Sequence, residues 1–207
     1  SLDEVAEYGK KVQAFTDKYK TIFATMIGNP TIMATLALQG KTENPTSLNS
    51  PGYKEEEYIK NVSGFGQSTV YFYLRKFQLC YLFEEYENCL NLLPDVEKYF
   101  PHMPAHIAYT EFFFYKALLF LALAPSTLEE EKKERSVGFT EAYDLLKLWS
   151  SHCEDNFLHL YLLVEAEKLR VEGRDTEAMK CYEKAIESAR KYGYINNAAI
   201  ANELAAK

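Results

Sequence analysis

The sequence predicts an all-α fold in which antiparallel helix pairs stack into a right-handed solenoid. Three observations carry this expectation. Residues 157–207 read as two amphipathic helices and the start of a third, joined at Gly173 and Gly193. Small residues stand where close helix packing needs them: Ala166 precedes Gly173 by seven residues, and Ala178, Tyr182 and Ala185 follow at intervals of four and three. The 207 residues are 47% hydrophobic and 26% charged, a globular composition, and 16 Tyr and 13 Phe supply large wedges between stacked helices.

From the N-terminus, Val5, Tyr8, Val12, Phe15 and Tyr19 recur three or four apart and define one helix over residues 2–19 despite Gly9. A second helical stretch follows, which Gly28-Asn29-Pro30 is expected to bend or break, because proline removes a backbone donor and restricts the residue before it. The helical pattern resumes over 31–39. Residues 40–66 are dense in Gly, Pro, Asn and Ser and read as a long connection with a single helical turn near 55–60. This is the one internal boundary the composition offers. It is read as an insertion across the solenoid, inside a single domain over 1–207.

Residues 67–83 make a strongly aromatic helix and 85–99 its partner, ended by Pro101 and Pro104. The next helix spans 105–123. The charged stretch 125–137 is expected to lengthen the following turn as solvated sequence, with the partner helix at 139–151. The pairs close with 156–171, 175–192 and a further helix from Asn196. In all, roughly eight to ten helices are expected.

The small residue of each second helix falls at Cys89, Ala142 and Ala178, separated by 53 and 36 residues. Allowing for the charged insertion, both intervals fit a unit of about 34 to 40 residues, which is tetratricopeptide-like spacing. Such helical pairs hold peptides or neighbouring domains and carry no reaction centre, so the expectation is a binding or coupling module without a cofactor.

Composition narrows the function further. A net charge of -7 and the lack of a Lys/Arg-rich stripe argue against nucleic acid. The longest apolar run, 112–124, is interrupted by Lys116 and is shorter than the roughly 20 residues of a membrane helix, so it reads as a core helix. The N-terminal SLDEVAEYGKK has no signal-peptide pattern, which predicts a cytoplasmic protein. Cys80, Cys89, Cys153 and Cys181 show no CxxC spacing and read as buried thiols.

The C-terminal EDNFLHLYLLVEAEKLRVEGRDTEAMKCYEKAIESARKYGYINNAAIANELAAK resembles the end of the tetratricopeptide-like region in large multi-domain, multi-sensor signal-transduction kinases of bacteria and fungi. YFYLRKFQLCYLFEEYENCL, FFFYKALLFLAL and the 40–66 connection stand in the same order, so the resemblance covers nearly the whole chain. In those proteins a serine/threonine-kinase-like domain and an AAA-type (STAND) ATPase precede this region, and a GAF domain and a histidine kinase follow it. The resemblance implies a non-catalytic segment that couples the ATPase to downstream domains or receives a protein signal. The chain itself has no GxxxxGK[ST] loop, no HRD or DFG set and no histidine-kinase nucleotide box.

His102 and His106 are four apart, a metal-ligand spacing on a helix, but Pro104 between them disrupts that helix, and turn residues are expected. Cys153 with His159 would need an activating environment to act as a nucleophile and base, and reads as a thiol and a helix-start histidine. Glu129, Glu130, Glu131 and Glu134 could form an acidic docking patch or a cation site, but they mix with Lys132, Lys133 and Arg135 and read as a solvated loop or helix end. Gly64-Phe65-Gly66 reads as a turn. If Ala166 and Ala178 mark the close contact inside the last pair, Leu163, Glu167 and Arg170 point to the inner face of the solenoid. The matching residues around Phe77 are Leu74, Gln78 and Tyr81. These six are the candidate binding residues for a protein, a peptide or a neighbouring domain, with Glu167 and Arg170 also placed to pair with each other. A small-ligand-sensing helical region of a STAND-type regulator is the alternative, and it calls for an aromatic-lined, partly polar cavity.

Overall fold

The computed structural model describes residues 2–19, 22–62, 64–100 and 106–207. Among them are ten α-helices: α1 (Leu2–Tyr19), α2 (Ile22–Leu38), α3 (Glu55–Val62), α4 (Gly66–Leu82), α5 (Tyr86–Tyr99), α6 (Ile107–Leu123), α7 (Glu129–His152), α8 (Glu154–Val171), α9 (Asp175–Lys191) and α10 (Ile195–Ala206). The fold is all-α, as the periodicity predicts. The chain divides into two compact units, Ser1–Tyr109 and Thr110–Lys207.

The division falls in the first turn of α6, not in the 40–66 connection. The reason is that the connection is packed into the first unit. Leu48 is fully buried and joins Ala34, Ala37, Tyr58, Val62, Phe72 and Leu79 in one apolar cluster. Around it several polar groups are paired, although the buried Tyr53 hydroxyl has no partner among the described residues. The Lys76 ammonium donates to both Glu55 oxygens at 2.9 and 3.0 Å and to the Thr46 carbonyl at 2.9 Å. Asn44 accepts from the Thr46 amide, and Thr46 donates to the Glu85 carboxylate. A segment whose backbone groups are satisfied this way is ordered although it lacks regular structure.

In the first unit α1 packs on α2, and α2 and α3 pack on α4, which pairs with α5. Gly9 has a packing reason to stand in α1: a Cβ there would meet the Ile32 side chain at 2.8 Å, so its absence lets α2 approach. Of the bend or break expected at Gly28-Asn29-Pro30, the break does not occur. Helix α2 runs through Pro30, which is buried. A proline inside a helix costs about 3 kcal/mol, and here the packing of α2 against both α1 and α4 offsets it. Pro94 stands inside α5 on its exposed side, where water can reach the carbonyl it frees.

In the second unit α7, α8, α9 and α10 each pack on their chain neighbours. The charged stretch 125–137 reads as a lengthened turn in sequence, but most of it is helix. A short 3-10 turn at Ala124–Ser126 is followed by α7 from Glu129. Glu129, Glu130 and Glu131 lie in the first turn, where carboxylates complement the helix dipole. Lys132 pairs with Glu129 and Arg135 with Glu131, at helical spacings of three and four. A mixed-charge run of good helix formers thus supports a helix as readily as a solvated turn. Gly138 sits inside α7, and a Cβ there would meet Phe120 of α6 at 2.7 Å.

Three interhelical turns share one backbone solution. Gly173 and Gly193 have φ of 74° and 82°, and each is followed by an amide that reaches back into the preceding helix, Arg174 to the Leu169 carbonyl and Tyr194 to that of Ala189. The α4–α5 turn does the same with Glu84 at φ 60° and the Glu85 amide on Cys80. Positive φ suits glycine, which has no Cβ to strain, so the first two turns carry a sequence signal that the third lacks.

Candidate functional site

Helix α8 is positioned on two sides. Toward α7 it presents Tyr161, Glu165 and Lys168, spaced four and three apart. The Tyr143 phenol donates to Glu165 at 2.6 Å and lies 3.2 Å from the Tyr161 oxygen, while the Lys168 ammonium stands over the Tyr143 ring. Burial and then the Glu165 carboxylate push the Tyr143 phenol well above its ordinary value, so it serves as a donor.

Toward α9, where α8 packs most extensively, Ala166, Ala178 and Ala185 are all buried and Tyr182 reaches across to α8. Its phenol donates to Glu167 in a short hydrogen bond. The same carboxylate accepts from the Arg170 guanidinium, 2.7 Å from Nη2 and 3.3 Å from Nε. The carboxylate is buried, whereas the Arg170 side chain is 40% exposed. Glu167 holds the guanidinium well above its ordinary value, and burial with the Glu167 bond does the same for the Tyr182 phenol. The result is a cation fixed at the surface by a buried anion, less free to search for partners than an isolated arginine.

Of the six candidate residues, the structure leaves surface on two. Leu74 and Leu163 are buried at 0% and 1% exposure, and Tyr81 and Glu167 are buried as well. Each is absorbed by packing. Tyr81 stacks at a tilt on Tyr86, and Glu167 is held by Tyr182 and Arg170. Arg170 is exposed, and Gln78, half-buried, accepts from Arg75 at 2.6 Å. Leu163, Glu167 and Arg170 lie in the second unit and Leu74, Gln78 and Tyr81 in the first.

His159 is neither at a helix start nor set against Cys153. Helix α8 begins at Glu154 with Cys153 at its N-cap, and His159 is buried one turn further in. Its ring stacks on Tyr194 with centroids 4.3 Å apart, and its Nε2 lies 2.8 Å from the Asn197 amide nitrogen. Burial pushes its pKa down to about 4. Sequence alone missed this contact, because Tyr194 and Asn197 belong to the turn and first residues after α9.

His102 lies outside the described residues. His106 is 3.2 Å from the Tyr71 hydroxyl, and among the described residues no group of three His, Cys, Asp or Glu is arranged to hold a metal. All four cysteines are free; Cys80, Cys89 and Cys181 are buried as expected, whereas Cys153, at the N-cap of α8, is only half-buried. Cys89 donates to the Phe77 carbonyl, and its thiol is held above its ordinary value by the bond with Cys80 and by burial. The segment Ile107–Ser126 is long and apolar enough to cross a membrane, and 72% of it is buried within the protein. Its Lys116 is buried over the Phe112 and Phe113 rings and pairs with Glu141 at 3.0 Å.

No curated protein and no solved structure matches the chain significantly. A family does, over residues 54–207, which takes in every helix from α3 to α10 and the three αL turns between paired helices. With its small-residue hairpin contacts and repeated turn geometry, the chain belongs to the family of CHK1-like TPR repeats.

Proposed function

We propose that this chain is a non-catalytic protein-interaction module that couples neighbouring domains within a cytoplasmic signal-transduction multi-kinase. Tetratricopeptide repeats act in general as protein-interaction elements rather than as enzymes, and the chain has such repeats over most of its length. The finer assignment, to a region between an ATPase and a GAF domain, rests on the resemblance of residues 154–207 to the corresponding segment of multi-sensor kinases. The observation that carries the reading on the molecule is Arg170, an exposed cation held in place by a buried carboxylate and a buried phenol. A pre-oriented guanidinium loses little freedom when it meets a carboxylate or main-chain carbonyl of a partner.

The test is a pull-down of the parent protein's ATPase and GAF domains by this chain and by its Arg170→Ala variant. Capture that weakens at least tenfold in a variant with an unchanged circular-dichroism spectrum supports the reading. Equal capture by both removes Arg170 from the interface, and no capture of either domain removes the coupling role.

A second reading, a small-ligand-sensing helical region of a STAND-type regulator, draws support from a pocket of about 400 Å³ between α6 and α7 lined by Phe120, Leu121, Thr127, Arg135, Ser136 and Phe139. It is aromatic and partly polar, and its size is within the range of small-molecule sites. A ligand-dependent rise in melting temperature, abolished by Phe139→Ala, would favour this reading over coupling.

A further inference from the structure

Helix α1 carries most of its apolar residues on the outside, with Val12 at the edge where the helix borders Gly28 of α2. Val5, Tyr8, Val12, Phe15 and Tyr19 are 40%, 67%, 37%, 54% and 55% exposed, although their spacing places them on one stripe. The helix is anchored instead by the neighbouring stripe, where Gly9 and Thr16 are buried. Gly9 meets Ile32 of α2, and Thr16 returns its hydroxyl to the Val12 carbonyl. A contiguous apolar stripe on an 18-residue helix, about 27 Å long, is uncommon on a surface that meets only water.

The charges along its open flank choose the partner. On the side of the stripe away from Gly9 and Thr16 stand Glu4, Lys11 and Lys18, one every seven residues. In a parallel pair of such helices this flank would face Gly9 and Thr16, which offer no charge. In an antiparallel pair it faces itself. With the two-fold axis at the level of residue 10, Val5 meets Phe15, Tyr8 meets Val12, and Glu4 of each copy stands across from Lys18 of the other. Lys11 approaches its own counterpart at the axis, but each Lys11 already has Glu7 as a counter-charge at 3.0 Å. The helix is therefore self-complementary in one orientation only.

Three aromatic rings of about 150–250 Å² each, roughly half exposed, with two valines bring on the order of 400 Å² per copy to such a contact. Doubling this gives on the order of 800 Å², below the roughly 1,200–2,000 Å² of stable specific interfaces and in the range of weak encounters, which corresponds to a weak, reversible dimer and not an obligate one. We propose that the α1 stripe is the site at which a second copy of this chain docks, antiparallel and two-fold.

Sedimentation-equilibrium measurements on the 207-residue chain, from about 1 to about 300 µM, test this. A concentration-dependent dimer is expected, and Phe15→Asp, which changes an exposed residue, is expected to abolish it without altering the melting temperature. Glu4→Lys or Lys18→Glu alone is expected to weaken association by about three- to tenfold, and the Glu4→Lys, Lys18→Glu double variant to recover it to within about twofold. A monomer over the whole range overturns the proposal and assigns the stripe to some other occupant. So does a dimer indifferent to Phe15→Asp. A dimer lost with Phe15→Asp but weakened additively by the two charge reversals overturns the antiparallel pairing.

Discussion

Protonation of His159 should unlock the junction of α8 and α10. The ring is 2% exposed, stacked on Tyr194, and its Nε2 receives the Asn197 amide. An amide nitrogen can only donate, so the neutral ring fits and the imidazolium does not, since it would present a second donor at the same place. Burial brings the folded-state pKa to about 4, against 6.5 for an ordinary histidine. Between these values the unfolded chain holds a proton that the folded chain does not, so stability rises with pH across the window. The contribution is complete above pH 6.5 and is lost as pH falls towards 4. At about 1.4 kcal/mol per pH unit the ceiling is roughly 3 kcal/mol, and rotation of the Asn197 amide to offer its oxygen would trim this to about 2. Urea unfolding followed by circular dichroism at pH 7.5, 6, 5 and 4.5 measures it. Other carboxylates also weaken the fold in acid, so the decisive quantity is the difference from His159→Gln, which keeps an acceptor but has no titrating group. The wild type should lose about 2 kcal/mol more than the variant between pH 7.5 and 4.5. Parallel stability curves within about 0.5 kcal/mol would refute the reasoning, because the buried ring would then carry no linkage to pH.

Other expectations concern single contacts. Glu84→Gly should stabilise the first unit by about 0.5–1 kcal/mol, seen as a higher urea midpoint, because it relieves a left-handed non-glycine residue at the α4–α5 turn. Lys76→Ala should cost about 2 kcal/mol by stranding the mostly buried Glu55 carboxylate, and should speed limited proteolysis within residues 40–54 ahead of global unfolding. Gly138→Ala should destabilise by about 1–2 kcal/mol despite the better helix propensity of alanine, because its Cβ would meet the Phe120 ring; a raised melting temperature would contradict the close approach of α6 and α7. Tyr182→Phe should cost about 1.5–3 kcal/mol, since the buried Glu167 carboxylate loses its phenol donor, and a double-mutant cycle with Arg170→Ala should show coupling.

Most of the helices were legible because apolar periodicity and terminal glycines report local structure directly. Residues 157–207 hold both signals, and the expected helices there agree with α8, α9 and α10 to within a few residues. The signals that misled are those whose outcome is decided by a distant partner. Pro30 breaks an isolated helix, yet α2 continues because α1 and α4 pack along it. The charged run before Gly138 reads equally as solvated turn or as helix, and its own ion pairs decide for helix. The 40–66 connection looks like a boundary by composition, but its own Leu48 is buried and its Thr46 and Glu55 are bonded to Lys76, which makes it part of the first unit.

The candidate surface was legible in position and not in exposure, for a physical reason. Helical spacing fixes which residues share a face; whether that face is open depends on side chains from other helices. Glu167 illustrates the difference. Its spacing from Arg170 predicts their ion pair, which forms, but nothing local predicts that Tyr182, fifteen residues on, donates to the same carboxylate and closes it off from solvent. Helix α1 shows the converse. Its apolar period defines the helix, yet the helix is held by Gly9 and Thr16, residues that a hydrophobic pattern passes over, and the rings face outward. A glycine that brings two backbones together can outcompete an aromatic stripe for the neighbouring helix, because close contact along α2 requires the small side.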